Sequence, residues 1–244
     1  DGIGDPVFDR QFTQSFEDIQ VTGRGKLTPD QKWDPLETGE FLLGHVDESQ
    51  EIPPSASPIE FTRNGTFMAY RKLHQNVGSF RGYLKKTAEK FAAIMQVGQE
   101  EAQETIKAKM VGRWSDGVPL MLAPTYEKWR AFNEQWNDIP EYRRIKFEGG
   151  TLNDGQKKRL AEYNRLLIDF KYADDLEGSK CPVSAHIRRA NTRDMLDPRI
   201  ASGKELAGSA LNKRRRILRR GLPYGQSTNG SGTDDGEQGI IFMA

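Results

Sequence analysis

Along the middle of the chain, apolar residues recur every three or four positions. From Val77 they fall at Phe80, Leu84, Ala88, Phe91 and Met95, which predicts an amphipathic helix capped by Asn76. The same periodicity predicts helices over 100–110, over 125–137 (Tyr126, Trp129, Phe132, Trp136) and over 154–172 (Leu160, Tyr163, Leu167, Phe170). The aromatic stripe reads as core. Asn64-Gly65 turns the chain into a strand expected over 66–73. The cationic run 214–220 reads as another strand, followed by a turn at 221–225, a polar loop at 226–238 and an apolar closing strand at 239–244. The first 60 residues, rich in Gly, Pro, Asp and Thr, read as loops. No repeat of 20–50 residues is visible. Strands and helices in this order predict an α+β fold, helices packed on an antiparallel sheet.

With 36% hydrophobic residues in 244, the chain can bury a core, and no apolar run approaches the roughly 20 residues of a membrane-spanning helix. Lys and Arg number 36 against 35 Asp and Glu, so the net charge of +1 gives no overall attraction for nucleic acid. The charge is unevenly placed: residues 181–220 hold 11 Lys or Arg and only 3 Asp or Glu. Cys181 is the single cysteine, which excludes a disulfide within the chain. The chain starts at Asp1 without methionine and stops inside an apolar run, so it reads as a fragment.

Histidine chemistry has three candidates, His45, His74 and His186. His186 lies in Cys181-Pro-Val-Ser-Ala-His-Ile-Arg-Arg-Ala-Asn191, near Arg188, Arg189 and Arg193. Neighbouring cations lower an imidazole's proton affinity and leave a nitrogen lone pair free for a metal. A purely structural histidine is the plainer alternative. No second His or Cys stands at zinc spacing, whereas haem iron needs only one protein ligand. In the run Lys213-Arg-Arg-Arg-Ile-Leu-Arg-Arg220, strand alternation puts Ile217 and Arg219 on one face, and Leu218, Arg216 and Arg220 on the other. An arginine sharing a face with a buried aliphatic residue needs an anionic partner; a solvated edge strand or a nucleic-acid patch is the competing reading. Asp1-Gly-Ile-Gly-Asp-Pro6 alone is a turn composition.

Several segments, in order, resemble the dye-decolorizing peroxidase family in its longer bacterial and fungal branch, over nearly the whole chain. They are Asp1-Gly-Ile-Gly-Asp-Pro6, Gly39-Glu-Phe-Leu-Leu-Gly44, the stretch from Asn64 to Leu73, and Val111-Gly-Arg-Trp-Ser-Asp-Gly-Val-Pro-Leu120. The most specific pair is Cys181-Pro-x-x-Ala-His-Ile-Arg-Arg-Ala-Asn191 with Arg216-Ile-Leu-Arg-Arg-Gly-Leu-Pro-Tyr-Gly225. The resemblance implies a ferredoxin-like antiparallel sheet packed with helices, half of a dimeric α+β barrel-like peroxidase fold. Residues 1–60 would link to an absent first ferredoxin-like unit, and residues 61–244 would form the C-terminal, truncated haem-binding domain. It implies one haem b per chain, with His186 as proximal iron ligand, Asp1 as distal acid–base residue, Arg219 as distal arginine and Arg188 near the propionates. The implied activity is a peroxidase that reduces hydrogen peroxide and oxidises dyes, phenolics or other bulky organic donors through a ferryl intermediate. Its partners would then be hydrogen peroxide and bulky organic reductants, with neither nucleic acid nor a membrane, and with a homo-oligomer left open. The compartment stays open between cytoplasmic and secreted. Bulky donors would pass electrons through surface tyrosine or tryptophan, with Trp33, Trp114, Trp129 and Trp136 as the indoles available. His186 and Arg219 are 33 residues apart, a longer spacing than in compact family members, with the extra length in 192–211. The alternative is a non-catalytic haem-binding or haem-handling protein of the same fold. A nucleic-acid module on 213–220 and a chlorite-acting relative fit the motifs less well.

Overall fold

The structure is a computed structural model and describes residues 20–27, 33–55, 57–195, 217, 219–225, 234 and 236–244. It divides into two compact units, Asp1–Gly82 with Leu196–Ala244, and Tyr83–Met195. The division falls inside one long helix.

The first unit opens with a hairpin of β1 (Gln20–Leu27) and β2 (Trp33–Glu37), antiparallel with Gln20 opposite Glu37 and a register irregularity between Thr22 and Leu27. Strand structure here departs from the loops expected over the first 60 residues. The segment that follows does lack long elements, and hydrogen bonds hold it: Asp47 Oδ1 accepts from the amides of Ser49 and Glu51, and Leu43 exchanges backbone bonds with Asn64 and Gly65. One short helix, α1 (Ile59–Thr62), interrupts it.

The main sheet has the order β3–β5–β4, all antiparallel, from β3 (Tyr70–His74), β4 (Arg220–Tyr224) and β5 (Gly239–Met243). The closing apolar run is thus the central strand, hydrogen-bonded on both sides. β4 occupies the Gly221–Tyr224 stretch that sequence pattern reads as a turn. Pro223 misleads there, because proline lacks an N–H, but an edge strand donates toward one neighbour only and tolerates it. Gly239 sits where any Cβ would strike the Leu73 carbonyl, so this crossing of β5 and β3 requires glycine.

Helix α2 (Val77–Met95) starts in the first unit. Its first amides are not capped by Asn76. Asp234 accepts from Gly78 N at 2.7 Å and Ser79 N at 3.0 Å, while Asn76 Oδ1 meets His74 Nε2 at 3.1 Å. A carboxylate at the positive end of a helix satisfies orphan donors and opposes the dipole, and here it comes from 155 residues away.

The second unit is helical: the rest of α2, α3 (Gln99–Val111), α4 (Tyr126–Gln135), α5 (Ile139–Phe147), α6 (Asp154–Leu166) and α7 (His186–Ala190). Thr125 Oγ1 caps α4, and Asn153 with Gln156 forms a capping box on α6. Helix α5 was not foreseen; it begins with Pro140 in its first turn, where the missing N–H costs nothing. Two apolar clusters form the core. Trp114, Val118, Leu120, Trp129, Tyr172 and Cys181 anchor one, and Trp136, Ile139, Leu152, Leu160 and Tyr163 the other. Trp129 and Trp136 are therefore interior residues, as helical spacing suggested.

Helix α6 stops at Leu166 although the apolar period continues to Phe170. The carbonyls that would continue it are taken by arginines: Arg113 Nη1 donates to Leu167 O at 3.1 Å, and Arg193 Nη2 donates to Ile168 O. The amides of Tyr172 and Ala173 turn instead to the Asp194 carboxylate, at 2.8 and 3.0 Å. These side chains replace the helix ladder with bonds to Arg113, just after α3, and to the segment after α7.

Candidate functional site

The histidine motif lies on the segment 175–190 of the second unit. A short 3-10 turn, Tyr172–Asp175, buries Asp175 at its end. Asp175 Oδ1 accepts from Ser179 Oγ at 2.8 Å and Lys180 N at 3.0 Å; Oδ2 accepts from Cys181 N at 2.9 Å and Arg188 Nη1 at 3.0 Å. Arg188 returns further bonds, Nη1 to Cys181 O and Nη2 to Asp175 O, each at 2.6 Å. Both side chains are inaccessible to solvent. The Arg188 guanidinium also lies 4.7 Å from the centre of the Tyr172 ring, a cation–π contact. Burial alone would raise the Asp175 carboxyl, but the amides of Lys180 and Cys181, the Ser179 hydroxyl and the charge of Arg188 outweigh it and hold the group below the usual aspartate range. Burial pushes the Cys181 thiol up, and pushes the Tyr172 phenol up to about 12.

Helix α7 is about one and a half turns long. Its residues leave in different directions because each is rotated about 100° from the last. Ile187 packs on Gly112, the left-handed C-cap of α3 (φ 98°), where an added Cβ would come within 2.5 Å of Ile187 Cγ1. Arg188 enters the interior. His186, the first residue of α7, stays exposed, and its ring makes no hydrogen bond to any described residue.

Nearby, Arg113 and Arg193 both approach the Phe170 ring, at 5.6 and 4.0 Å from its centre. Burial and the adjacent charge of Arg193 hold Arg113 below the usual arginine range, and burial does the same to Arg193. The hydrogen bonds of Arg113 go to two backbone carbonyls, Gly117 O and Leu167 O.

The residues singled out from sequence fall on different parts of the chain. Asp1 lies outside the described residues. Arg219 is exposed just before β4 in the first unit, and His186 and Arg188 belong to the second. Arg188, read as a propionate contact, is instead fully buried on Asp175, and could reach an external anion only by breaking that pair. The buried face expected in the cationic run is also absent at Ile217, which is 64% exposed. His45 and His74 pair with Asn64 and Asn76. Among the described residues no three His, Cys, Asp or Glu side chains gather as a metal site.

Sequence reading passed over Asp175, Asp194, Gly112 and Arg113. One signal for the first was present: an arginine two residues after an apolar-flanked histidine needs a carboxylate if buried, and Asp174 and Asp175 are the acids closest before Cys181 apart from Glu177.

No protein-family model matches the chain. Among curated proteins it is 29% identical to peroxidase 2 of Mycetinis scorodonius over 252 residues, covering all of this chain and 37% of the relative. A dye-decolorizing peroxidase of Mycena epipterygia is 28% identical, with 38% of its length covered, and a multifunctional dye peroxidase of an Amycolatopsis species is 26% identical, with 41% covered. Among solved structures, an ancestral D-type dye-decolorizing peroxidase aligns with a TM-score of 0.56 at 24% identity, over 89% of this chain and 39% of that one. The fungal enzyme of Auricularia auricula-judae aligns at 0.52 and 23%, over 91% and 41%. These structural likenesses are likenesses of fold. The chain spans well under half the length of the curated relatives it matches, 37% of the Mycetinis enzyme. In sequence its relatives, and in fold its neighbours, are dye-decolorizing peroxidases, and its helices with a small antiparallel sheet are a portion of their α+β fold.

Proposed function

We propose that this chain is the haem-holding portion of a peroxidase that reduces hydrogen peroxide at the expense of bulky organic donors such as dyes and phenolics. The observation that carries the reading is the presentation of His186. Its imidazole stands in the open without a hydrogen-bond partner among the described residues, on a helix whose next two residues are locked inward. One open imidazole is the protein's usual share of the ligand set of a haem iron, so the residue fits the group. The positive pair Arg113 and Arg193 also suits an anion such as a propionate, since a negative group would relieve two partly buried like charges. Arg188 does not fit that role, being committed to Asp175. Homology over the whole of this chain to proteins named as peroxidases supports the same reading. The family is haem-dependent, and one haem b per chain is part of the proposal.

Bound haem would supply the redox iron at which peroxide is reduced while organic donors give up electrons. The chain's own residues do the rest. His186 would hold the iron and donate electron density to it. By the same resemblance the Asp1 carboxylate would take a proton from one peroxide oxygen and deliver it to the other, so that the departing oxygen could leave as water. The Arg219 guanidinium, permanently charged, would stabilise the negative charge that develops as the O–O bond breaks. Two electrons and two protons per peroxide give two waters, and the electrons come from the organic donors.

The test is the absorption spectrum of the haem-loaded protein with and without His186→Ala. Loss or displacement of the Soret band in the variant is the expected result. Identical haem binding without His186 would refute the proximal role; haem binding with no peroxide consumption would leave a haem carrier on the same fold.

A further inference from the structure

Asp175 and Arg188 stand on either side of His186 in sequence and meet in the interior. Between them the chain leaves the core at Leu176, which is 55% exposed, returns at Cys181, and leaves again through Val183 and Ser184 before α7 begins. Each return is bonded to the same carboxylate: the amides of Lys180 and Cys181 and the guanidinium of Arg188 all donate to Asp175. Arg188 also ties Cys181 O to Asp175 O, so the base of the loop is closed twice. Gly112 holds the remaining direction by seating Ile187. Residues 187 and 188 are held on separate surfaces, which fixes the backbone of α7 at two successive positions and constrains the direction of the His186 Cα–Cβ bond. Among the described residues the imidazole makes no hydrogen bond.

We propose that Asp175 is a positioning residue for His186: its carboxylate, through Arg188 and the Lys180–Cys181 amides, sets the angle at which the imidazole meets the iron. The inference rests on the reading of His186 as iron ligand. A metal ligand normally owes its orientation to a hydrogen bond on its second ring nitrogen. Here the backbone beneath the ligand adds a second constraint, which the carboxylate sets through Arg188, two residues after the imidazole. Nothing in this role requires Asp175 to touch haem, peroxide or donor.

The test uses the haem-loaded protein and three variants, His186→Ala, Asp175→Asn and Ser179→Ala. Asp175→Asn keeps the shape but puts an amide against donors that need an acceptor. Ser179→Ala removes one hydroxyl from Oδ1 and leaves the ion pair whole. The readouts are haem affinity by titration and the iron–histidine vibration of the reduced protein by resonance Raman. Asp175→Asn is expected to bind haem on the order of 10-fold more weakly, as loss of an outer support does for metal ligands, with the vibration shifted and broadened. Ser179→Ala moves the band the same way by less. A folded Asp175→Asn protein that shows the parent's band, with only a lower unfolding temperature, overturns the proposal, because a purely structural role moves stability alone. If Asp175→Asn does not fold, Ser179→Ala decides by the same band, and an unchanged band overturns it. His186→Ala separates the two ideas. A band that survives it refutes the iron-ligand reading and the positioning role with it; a band lost in His186→Ala and kept in Asp175→Asn refutes positioning alone.

Discussion

Replacing Arg188 by methionine removes a cation with no solvent exposure and leaves the Asp175 carboxylate, itself buried, without its counter-charge. Breaking a buried pair from one side costs about 3–5 kcal/mol, because the remaining charge is stranded in a medium that solvates it poorly. The lower end applies here. Asp175 keeps three donors after the change, the Ser179 hydroxyl and the amides of Lys180 and Cys181, and methionine fills most of the volume. Arg188 Nε has no partner among the described residues, so the bonds lost are those of Nη1 and Nη2, to the Asp175 carboxylate and to the carbonyls of Cys181, Asp175 and Leu176, with the contact to the Met195 sulfur. A loss of about 3 kcal/mol in a unit of this size lowers the unfolding temperature by about 12 °C. The assay is thermal unfolding by circular dichroism of Arg188→Met, Asp175→Leu and the double variant. Removing both partners strands no charge, so the double variant is expected to be more stable than the sum of the two losses by at least about 1 kcal/mol. Simple additivity would refute the account of this site as one coupled ion pair.

Gly112→Ala forces a Cβ at φ 98° into Ile187 and is expected to cost on the order of 1–3 kcal/mol, read by urea unfolding; Gly117→Ala, also at positive φ but with open space around it, separates the backbone strain from the clash. Asp175 titrates below the usual aspartate range in the folded chain, so it contributes stability above the unfolded value near 3.9, lost as pH falls through the folded value. Acid unfolding below about pH 4 is therefore expected to be shallower in Asp175→Asn than in the parent. Tyr172, raised to about 12, holds its contribution below the unfolded tyrosine value near 10 and loses it as pH rises through 12; ultraviolet titration should show a step near 12 that Tyr172→Phe removes. Asp234→Ala should speed hydrogen exchange at Gly78 and Ser79 while exchange in α4 and α6 stays unchanged; a uniform change would refute the capping role.

Local pattern by itself determined where the main helices begin. The apolar period places the starts of α2, α4 and α6 within a few residues, because the face a helix buries is local; the cap expected at Asn76 is supplied instead by Asp234. The motif around His186 was legible too, and with it the relationship to the peroxidases. What lay beyond local pattern was decided by partners distant in sequence. Helix α6 ends where Arg113 and Arg193 take its carbonyls, and α2 begins on a carboxylate 155 residues away. The stretch from Gly221 to Tyr224 reads as a turn by composition and becomes a strand because β5 offers it an antiparallel edge. Arg188 carries the same lesson for the site. The family resemblance implies it as a contact for an outside anion, but its guanidinium is turned inward by one carboxylate, while the imidazole two residues earlier stays exposed. Charge and spacing along a chain can say that an arginine needs an anion; only the tertiary structure decides which anion it has, because desolvation makes that pairing a property of the whole interior.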